Sequence, residues 1–247
     1  MYRIRCSEVW GGIKNEDLDA CSAVLTTSLY SSACDGGKGG DIYYVSVCQG
    51  DALTRIAVAD VVGHGEKVSR VSEWLYQGLQ ERMNGGPSSE ILAELNRLAT
   101  ERGHEAMATA AVVSFHKPDS SVQFAYAGHH PMLFRRRAGS RWEPLPLDGA
   151  GEKIANLPLG VFTDTQYDQQ LIPVQSGDRV FLYTDGLIEA PGPNDELFGE
   201  QRLRRVLNDA RDASLYELKT AVLTHVRDHI GGELSHDDVT LLAIEVR

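Results

Sequence analysis

Several things are scarce in this 247-residue chain, and each scarcity removes a class of function. No apolar stretch approaches the ~20 residues of a membrane span. The start, Met1-Tyr-Arg-Ile-Arg-Cys6, lacks the apolar core of a secretion signal. Cysteine is sparse: Cys6, Cys21, Cys34 and Cys48 show no CxxC spacing and read as reduced core or loop thiols, not a disulfide framework. Together these point to a cytoplasmic compartment. Basic charge is short as well, with 24 Lys and Arg against 35 Asp and Glu and a formal net charge of −11. That argues against a duplex nucleic-acid or anionic-membrane partner, since both need a basic face. The glycine run Gly36-Gly-Lys-Gly-Gly40 lacks a GKS/T ending and a following helix, so it reads as a flexible turn and Lys38 as a solvated loop lysine. What remains is ordinary for a globular protein, 42% hydrophobic and 24% charged, and long enough for one large domain over residues 1–247.

The most informative stretch is Arg55-Ile-Ala-Val-Ala-Asp60-Val-Val-Gly63-His64-Gly65. An apolar strand-like run delivers a carboxylate at its end, and a glycine-bounded turn then opens into helical spacing. Taken alone, Asp60 could merely cap a turn. The same placement recurs, however. Gly39-Gly40-Asp41 precedes Ile42 to Val47, Val180 to Thr184 ends on Asp185-Gly186, and His236-Asp237-Asp238 opens Val239 to Val246. Carboxylates brought together at strand ends repel one another unless cations sit between them. A carboxylate set without thiolate or imidazole spacing suits hard cations such as magnesium or manganese.

These pieces resemble the metal-dependent protein phosphatases (PPM, protein phosphatase 2C-like), in particular their bacterial SpoIIE-like branch. The matching segments are Gly-Gly-Asp41-Ile-Tyr, Ala-Asp60-Val-Val-Gly-His-Gly65, Tyr-Ala-Gly-His129-His-Pro131, Leu-Pro-Leu-Gly160-Val, Leu-Tyr-Thr-Asp185-Gly-Leu-Ile-Glu-Ala190, Phe198-Gly-Glu and Asp237-Asp-Val-Thr-Leu. They keep the family's order over roughly residues 36 to 247.

Arg3 to Val9 and Ala23 to Tyr30 are predicted strands, with a polar turn around Asn15 to Asp19 between them. After Gly65 the apolar spacing becomes helical: Val68, Val71, Leu75, Leu79 and Arg82, with Trp74 and Met83 beside them, form one stripe that Asn84-Gly-Gly-Pro87 ends. Ser88 or Ser89 is expected to cap a second helix, with the stripe Ile91, Leu92, Leu95, Leu98 and Ala99 and a stop at Gly103. The helix pair over 66–102 is expected to pack against a sheet. By resemblance it is also a candidate regulatory switch, because a shift of its first helix would tilt Asp60. Met107 to Phe115 and Val122 to Ala127 read as a strand pair. His129 and His130 point to opposite sides of extended chain, which argues against both as ligands to one ion; by resemblance His129 is a structural hydrogen-bonding residue beneath the site. Arg135 to Arg137 reads as a solvated basic run, and 138 to 156 as an exposed hairpin or loop. Glu200 to Leu207 is a short helix, and Ser214-Leu-Tyr-Glu217 is a capping box opening a helix that Gly231 ends. Without regular βαβ alternation the order argues for antiparallel sheets covered by helices. The resemblance implies the four-layer α-β-β-α sandwich, an α+β fold.

The resemblance also implies a chemistry: hydrolysis of phosphoserine or phosphothreonine in a protein by water activated between two Mg2+ or Mn2+ ions. Asp60 would bridge them, with the Val61 carbonyl on one. Asp185 and Asp237 would bind the first ion and Asp41 the second, directly or through water. Asp238 takes the usual non-ligand place, and Asp60, Asp185 and Asp237 form the catalytic set. One departure stands out. Animal-type relatives carry a histidine general acid where this chain has Val62, and no secure counterpart of their phosphate-binding arginine is found. His64 is read as fixing the turn or helix start; Cys34 and Cys48 stay structural. The implied substrate is a phosphorylated STAS-domain anti-anti-sigma factor in a partner-switching pathway, and the signal is expected through a separate regulatory protein or a homodimer. A catalytically silent phosphoprotein-binding regulator of the same fold is the alternative. A nucleotide phosphodiesterase would explain the acids but not the ordered motifs.

Overall fold

The computed structural model of the protein describes residues 1–83, 85–139, 141–148 and 156–247. Strands β1 (Tyr2–Arg3), β2 (Val9–Lys14), β3 (Glu16–Cys21), β4 (Leu25–Ser32), β5 (Lys38–Cys48) and β6 (Leu53–Val61) come first. Helices α1 (Ser69–Arg82) and α2 (Ser88–Arg102) follow. Then come β7 (Ala108–His116), β8 (Ser121–Ala127), β9 (Leu133–Arg135), β10 (Glu143–Pro144), β11 (Gln170–Pro173) and β12 (Arg179–Tyr183). Helices α3 (Gly199–Asp209) and α4 (Leu215–Ile230) precede the last strand, β13 (Val239–Val246).

The strands make two sheets, ordered β11-β8-β7-β6-β5-β2 and β1-β3-β4-β13-β12-β9-β10. Pairing is antiparallel apart from β1 beside β3. Side chains alternate across a strand, and here both sides are apolar because both are covered. On β5, Tyr43, Val45 and Val47 join the core between the sheets, while Ile42 and Tyr44 face α1 and α2. On β13, Leu242 and Ile244 point to the same inner core, while Leu241 and Ala243 face α3 and α4. Three apolar layers therefore separate four layers of structure: helices, sheet, sheet, helices. This is the expected α-β-β-α sandwich.

Several local expectations need correction. The chain from Asn15 to Asp19 is not a turn but largely strand β3, and Ile4 to Glu8 lies outside any strand. The acids of β3 read as turn residues in sequence because their partner is distant. Lys219 of α4, 1% exposed, places Nζ 2.5 Å from Asp17 and 3.6 Å from Asp19. Neither Ser88 nor Ser89 caps α2. Pro87 holds that position, and Ser88 instead bonds Ser114 and Gln123 beneath the helix. The basic run 135–137 is not simply solvated: Arg135 is buried and Arg136 pairs with the fully buried Asp178. In the segment read as an exposed loop, Trp142 is completely buried in the core under α3 and α4, edge-on to Phe181, and its backbone N–H donates to Asn208 of α3. Residues 149–155 of that segment lie outside the described residues.

Candidate metal centre

The register of β5 against β6 sets Asp41 directly opposite Asp60. Like charges in that position destabilise a sheet, so the pairing calls for a compensating charge. The other sheet brings its own acids. The antiparallel neighbours β12 and β13 place Asp185, just past the end of one, beside Asp237 and Asp238 at the start of the other. Gly186 passes so close to the Asp238 carbonyl that no Cβ fits there. His236 Nε2 approaches the Gly186 carbonyl at 2.7 Å and fixes the same turn.

Two residues join the sheets at this rim. Thr184, buried, donates its hydroxyl to Asp41 Oδ2 at 2.7 Å and accepts the Thr240 N–H at 2.9 Å. Asp238, 3% exposed, accepts from the backbone N–H groups of Cys34 (2.8 Å), Gly40 (2.6 Å) and Gly65 (2.9 Å). Its oxygens are thus engaged in tying the turns at Cys34 and Gly65 to the start of β5, which leaves Asp237 as the freer of the pair.

The electrostatics agree that these groups share one space. Burial pushes the Asp60 carboxyl well above its ordinary range, and Asp41, Asp185, Asp237 and Asp238 push it further. Asp41 is raised by burial, then lowered by its hydroxyl partners and raised again by Asp238 and Asp185. Asp237 is raised by burial and by Asp185 and Asp238, against the lowering hydrogen bond from the Asp238 N–H. No lysine or arginine is among the main causes for any of the three. A set of mutually repelling carboxylates fits divalent hard cations, which supply the missing charge and take oxygen ligands. Among the described residues no group of three or more His, Cys, Asp or Glu is placed to hold an ion as it stands. The fit therefore rests on donor chemistry and shared charge, not on a closed cage.

The neighbours have definite roles. His64 adopts an extended conformation between Gly63 (φ +105°) and Gly65 (φ +68°) and leads into the short 3-10 turn Gly65–Lys67. Its Nδ1 lies 3.3 Å from Cys34 Sγ. Burial, and then Asp238, push the Cys34 thiol up to about 11, so it stays protonated and is no nucleophile. Val62 is exposed and offers no proton. His129 is buried, its Nδ1 2.9 Å from the His130 carbonyl, and burial pushes its pKa down to about 4. Sequence reasoning gave Glu189 no role. Burial raises its carboxyl, and Asp185 and Asp237 raise it further, so it faces the same acids. Its position four residues beyond Asp185, across one short turn, was the available signal.

Comparison with known proteins can now be set beside this geometry. The family model described as Stage II sporulation protein E (SpoIIE) matches residues 50–247. The chain belongs to the SpoIIE family. Two Bacillus subtilis proteins named phosphoserine phosphatases are similar to it. RsbP is 22% identical over 198 residues, covering 78% of this chain and 45% of RsbP. RsbU is 24% identical over 204 residues, covering 82% of this chain and 58% of RsbU. The chain thus spans about half the length of these curated relatives. Among solved structures, the SiaA PP2C domain of Pseudomonas aeruginosa superposes with a TM-score of 0.76 at 20% identity, covering 89% of this chain and 85% of that one. RsbX, described in complex with magnesium, superposes with a TM-score of 0.67 at 16% identity, covering 94% and 100%. The chain therefore has the fold of the PP2C phosphatase domains.

Proposed function

We propose that this SpoIIE-family chain is a Mg2+- or Mn2+-dependent phosphatase acting on phosphoserine or phosphothreonine in a protein. The observation that carries the reading is the mutual repulsion that Asp60 feels from Asp41 on its own sheet and from Asp185 and Asp237 on the other, with no lysine or arginine among the main influences on Asp41, Asp60 or Asp237. Asp60 would hold both ions with the Val61 carbonyl on one of them, Asp185 and Asp237 would hold the first, and Asp41 the second. Such ions, when bound, neutralise phosphoryl oxygens and bring the pKa of a coordinated water toward ~7.

The chain's own residues supply orientation. Thr184 holds Asp41 by its hydroxyl, and Asp238 holds the turns at Cys34 and Gly65 and the β5 residue Gly40, so the carboxylates are presented from fixed backbone. With Val62 where animal-type relatives have an acid, no side chain there protonates the leaving serine or threonine oxygen. The substrate class we favour is a phosphorylated STAS-domain anti-anti-sigma protein in partner switching, as the family resemblance implies; the names of RsbP and RsbU, phosphoserine phosphatases, support the phosphoserine part of that reading. Regulation would enter through α1, which begins shortly after Asp60, from a separate protein or a second copy of the chain.

The test is Mn2+-dependent release of phosphate from a phosphoserine protein, run beside cyclic nucleotides, with Asp185→Asn as control. Hydrolysis of the phosphoprotein alone is expected, falling at least about a hundredfold in the variant, the scale of losing one electrostatic stabiliser. Activity that survives the substitution removes the reading. A wild type that binds the phosphoprotein without turnover points to a silent regulator.

A further inference from the structure

At the end of the molecule away from the carboxylates, the seven-stranded sheet sets arginine against arginine. Arg135 closes β9 and Arg179 opens β12, directly opposite one another. Like charges so placed destabilise the pairing. Arg179 is satisfied within the fold: Nε donates to Glu245 Oε2 at 2.7 Å, and Nη1 donates to the carbonyls of Ala213 (2.8 Å) and Arg211 (3.2 Å). Arg135 is not. It is 8% exposed, its Nε has no hydrogen-bond partner among the described residues, and its Nη1 reaches only the Gly139 carbonyl, at 3.4 Å. The Trp142 ring lies 6.0 Å from the guanidinium. A buried N–H donor such as this Nε, left without a partner, is costly. Burial first, then Arg179 and Arg211, hold its pKa below the usual range, with Asp212 and Glu245 as the opposing acids.

Arg135 opens onto a cavity of about 340 Å³ lined also by Arg137, Ser176, Gly177, Arg179 and Glu245. Three arginines there face one carboxylate, in a chain whose net charge is −11, and Arg179 already holds that carboxylate. Arg136, between the two lining arginines, turns away to Asp178 (3.0 Å) and the Pro173 carbonyl (2.6 Å). Arg137 is exposed, and its stem lies against Gly177, where φ is +89° and a Cβ would come within 2.8 Å of Arg137 Cδ. The glycine lets the turn pass under the side chain.

We propose that this cavity binds a small phosphate-type oxyanion, free or carried on a small organic molecule, through Arg135 and Arg137 with Ser176 and Arg179 beside them. The planar guanidinium fork matches two oxygens of such an anion, and a cavity of this size takes more than a bare phosphate. The site is separate from the carboxylate rim. Arg179 and Asp185 stand at opposite ends of β12, roughly 20 Å apart at ~3.3 Å per residue.

The experiment is calorimetric titration of full-length protein, stripped of divalent ions and desalted, with inorganic phosphate and in parallel with glycerol phosphate. The expected result is saturable binding at one site, weakened about tenfold or more by Arg137→Gln and lost in Arg135→Gln. Tighter binding of the ester marks an organic phosphate as the ligand; equal binding marks the oxyanion alone, and both support the site. Should Arg135→Gln fail to fold, the exposed Arg137→Gln still decides. No saturable binding of either probe up to roughly 10 mM, or binding untouched by Arg137→Gln, overturns the proposal.

Discussion

The two helix layers cover their sheets in different ways. On the Asp185 side, α4 begins with a complete capping box, Ser214 accepting the Glu217 N–H while Glu217 accepts the Ser214 N–H, and ends on Gly231 in the left-handed region. Its inner face is apolar: Leu215, Leu218, Val222, Leu223 and Val226 are all buried, with Lys219 reaching through to β3. On the Asp60 side, α1 has no side-chain cap and carries Gly78 in its middle. It also buries Ser69 and Ser72, whose hydroxyls bond back to the carbonyls of Glu66 and Val68. Such back-bonding and a mid-helix glycine both weaken a helix. Past its far end, Arg55, buried on β6, donates to the carbonyls of Met83, Gly85 and Gly86. The turn before α1 is held by Asp238 and Asp35, which accept the Gly65 and Glu66 N–H groups at 2.9 and 2.7 Å. The helix between them, next to Asp60, is the weaker element. One half of the molecule is thus covered by a well-capped helix and the other by a less stable one, and each presents acids to the same rim.

The strongest way to break this comparison is to remove one acid from each half. Asp60→Asn and Asp185→Asn should both lower Mn2+-dependent phosphatase activity at least about a hundredfold, since the proposed centre needs both sheets. In metal-free protein, Asp60→Asn should raise Tm, because it removes a charge that burial and four other carboxylates disfavour. Thermal unfolding with and without Mn2+ checks this. An unchanged or lower Tm without metal would mean that the acids are not crowded together.

Core truncation comes next in size. Leu218→Ala and Leu79→Ala both empty fully buried positions, where losses of about 2–5 kcal/mol are usual. The comparison predicts a split. Leu218→Ala should lower Tm and leave the Mn2+ concentration for half-maximal activity unchanged, whereas Leu79→Ala should lower Tm less and raise that concentration several-fold. Equal behaviour in both readouts would make α1 mere packing.

The segment that crosses between the halves, from β8 to β9, carries His129. Its folded pKa of about 4 lies below the unfolded value near 6.5. The unfolded chain therefore takes up a proton first as pH falls. The contribution is neutral above about 6.5, is lost progressively from there to about 4, and is constant below. The total is on the order of 3 kcal/mol. In His129→Gln the fall in unfolding free energy between pH 6.5 and 4, from denaturant titrations, should shrink by that amount; an identical fall would place the acid sensitivity elsewhere.

The fold and the candidate acids could be read in sequence wherever the signal was local. The apolar runs entering Asp60 and Asp185, the stripe through Leu75 and Leu79, and the capping box at Ser214 each state their environment within a few residues. What could not be read depended on distant partners. Asp17 and Asp19 look like turn residues until Lys219 is brought to them across the sheet. Arg135 looks solvated until the register sets it under Trp142 and against Arg179. Asp238 and Asp237 are adjacent and chemically alike; the backbone N–H groups of Cys34, Gly40 and Gly65, brought from distant segments to one of them, tell them apart.

The smallest effect sharpens the comparison most directly, because it concerns the helices alone. Ser214→Ala removes a cap that satisfies the Glu217 N–H and should cost about 1 kcal/mol. The first positions of α1 and α2 carry no side-chain cap. Stiffening α1 tests the weaker helix: Gly78→Ala adds a Cβ that meets only side chains, the nearest Leu95 Cδ2 at 3.3 Å. If the weakness of α1 matters for activity, the gained stability of about 0.5–1 kcal/mol should come with a changed Mn2+ requirement. Ser214→Ala, by contrast, should shift Tm alone. A Gly78→Ala protein that is stabilised yet has the same metal dependence would show that α1 does not need to move.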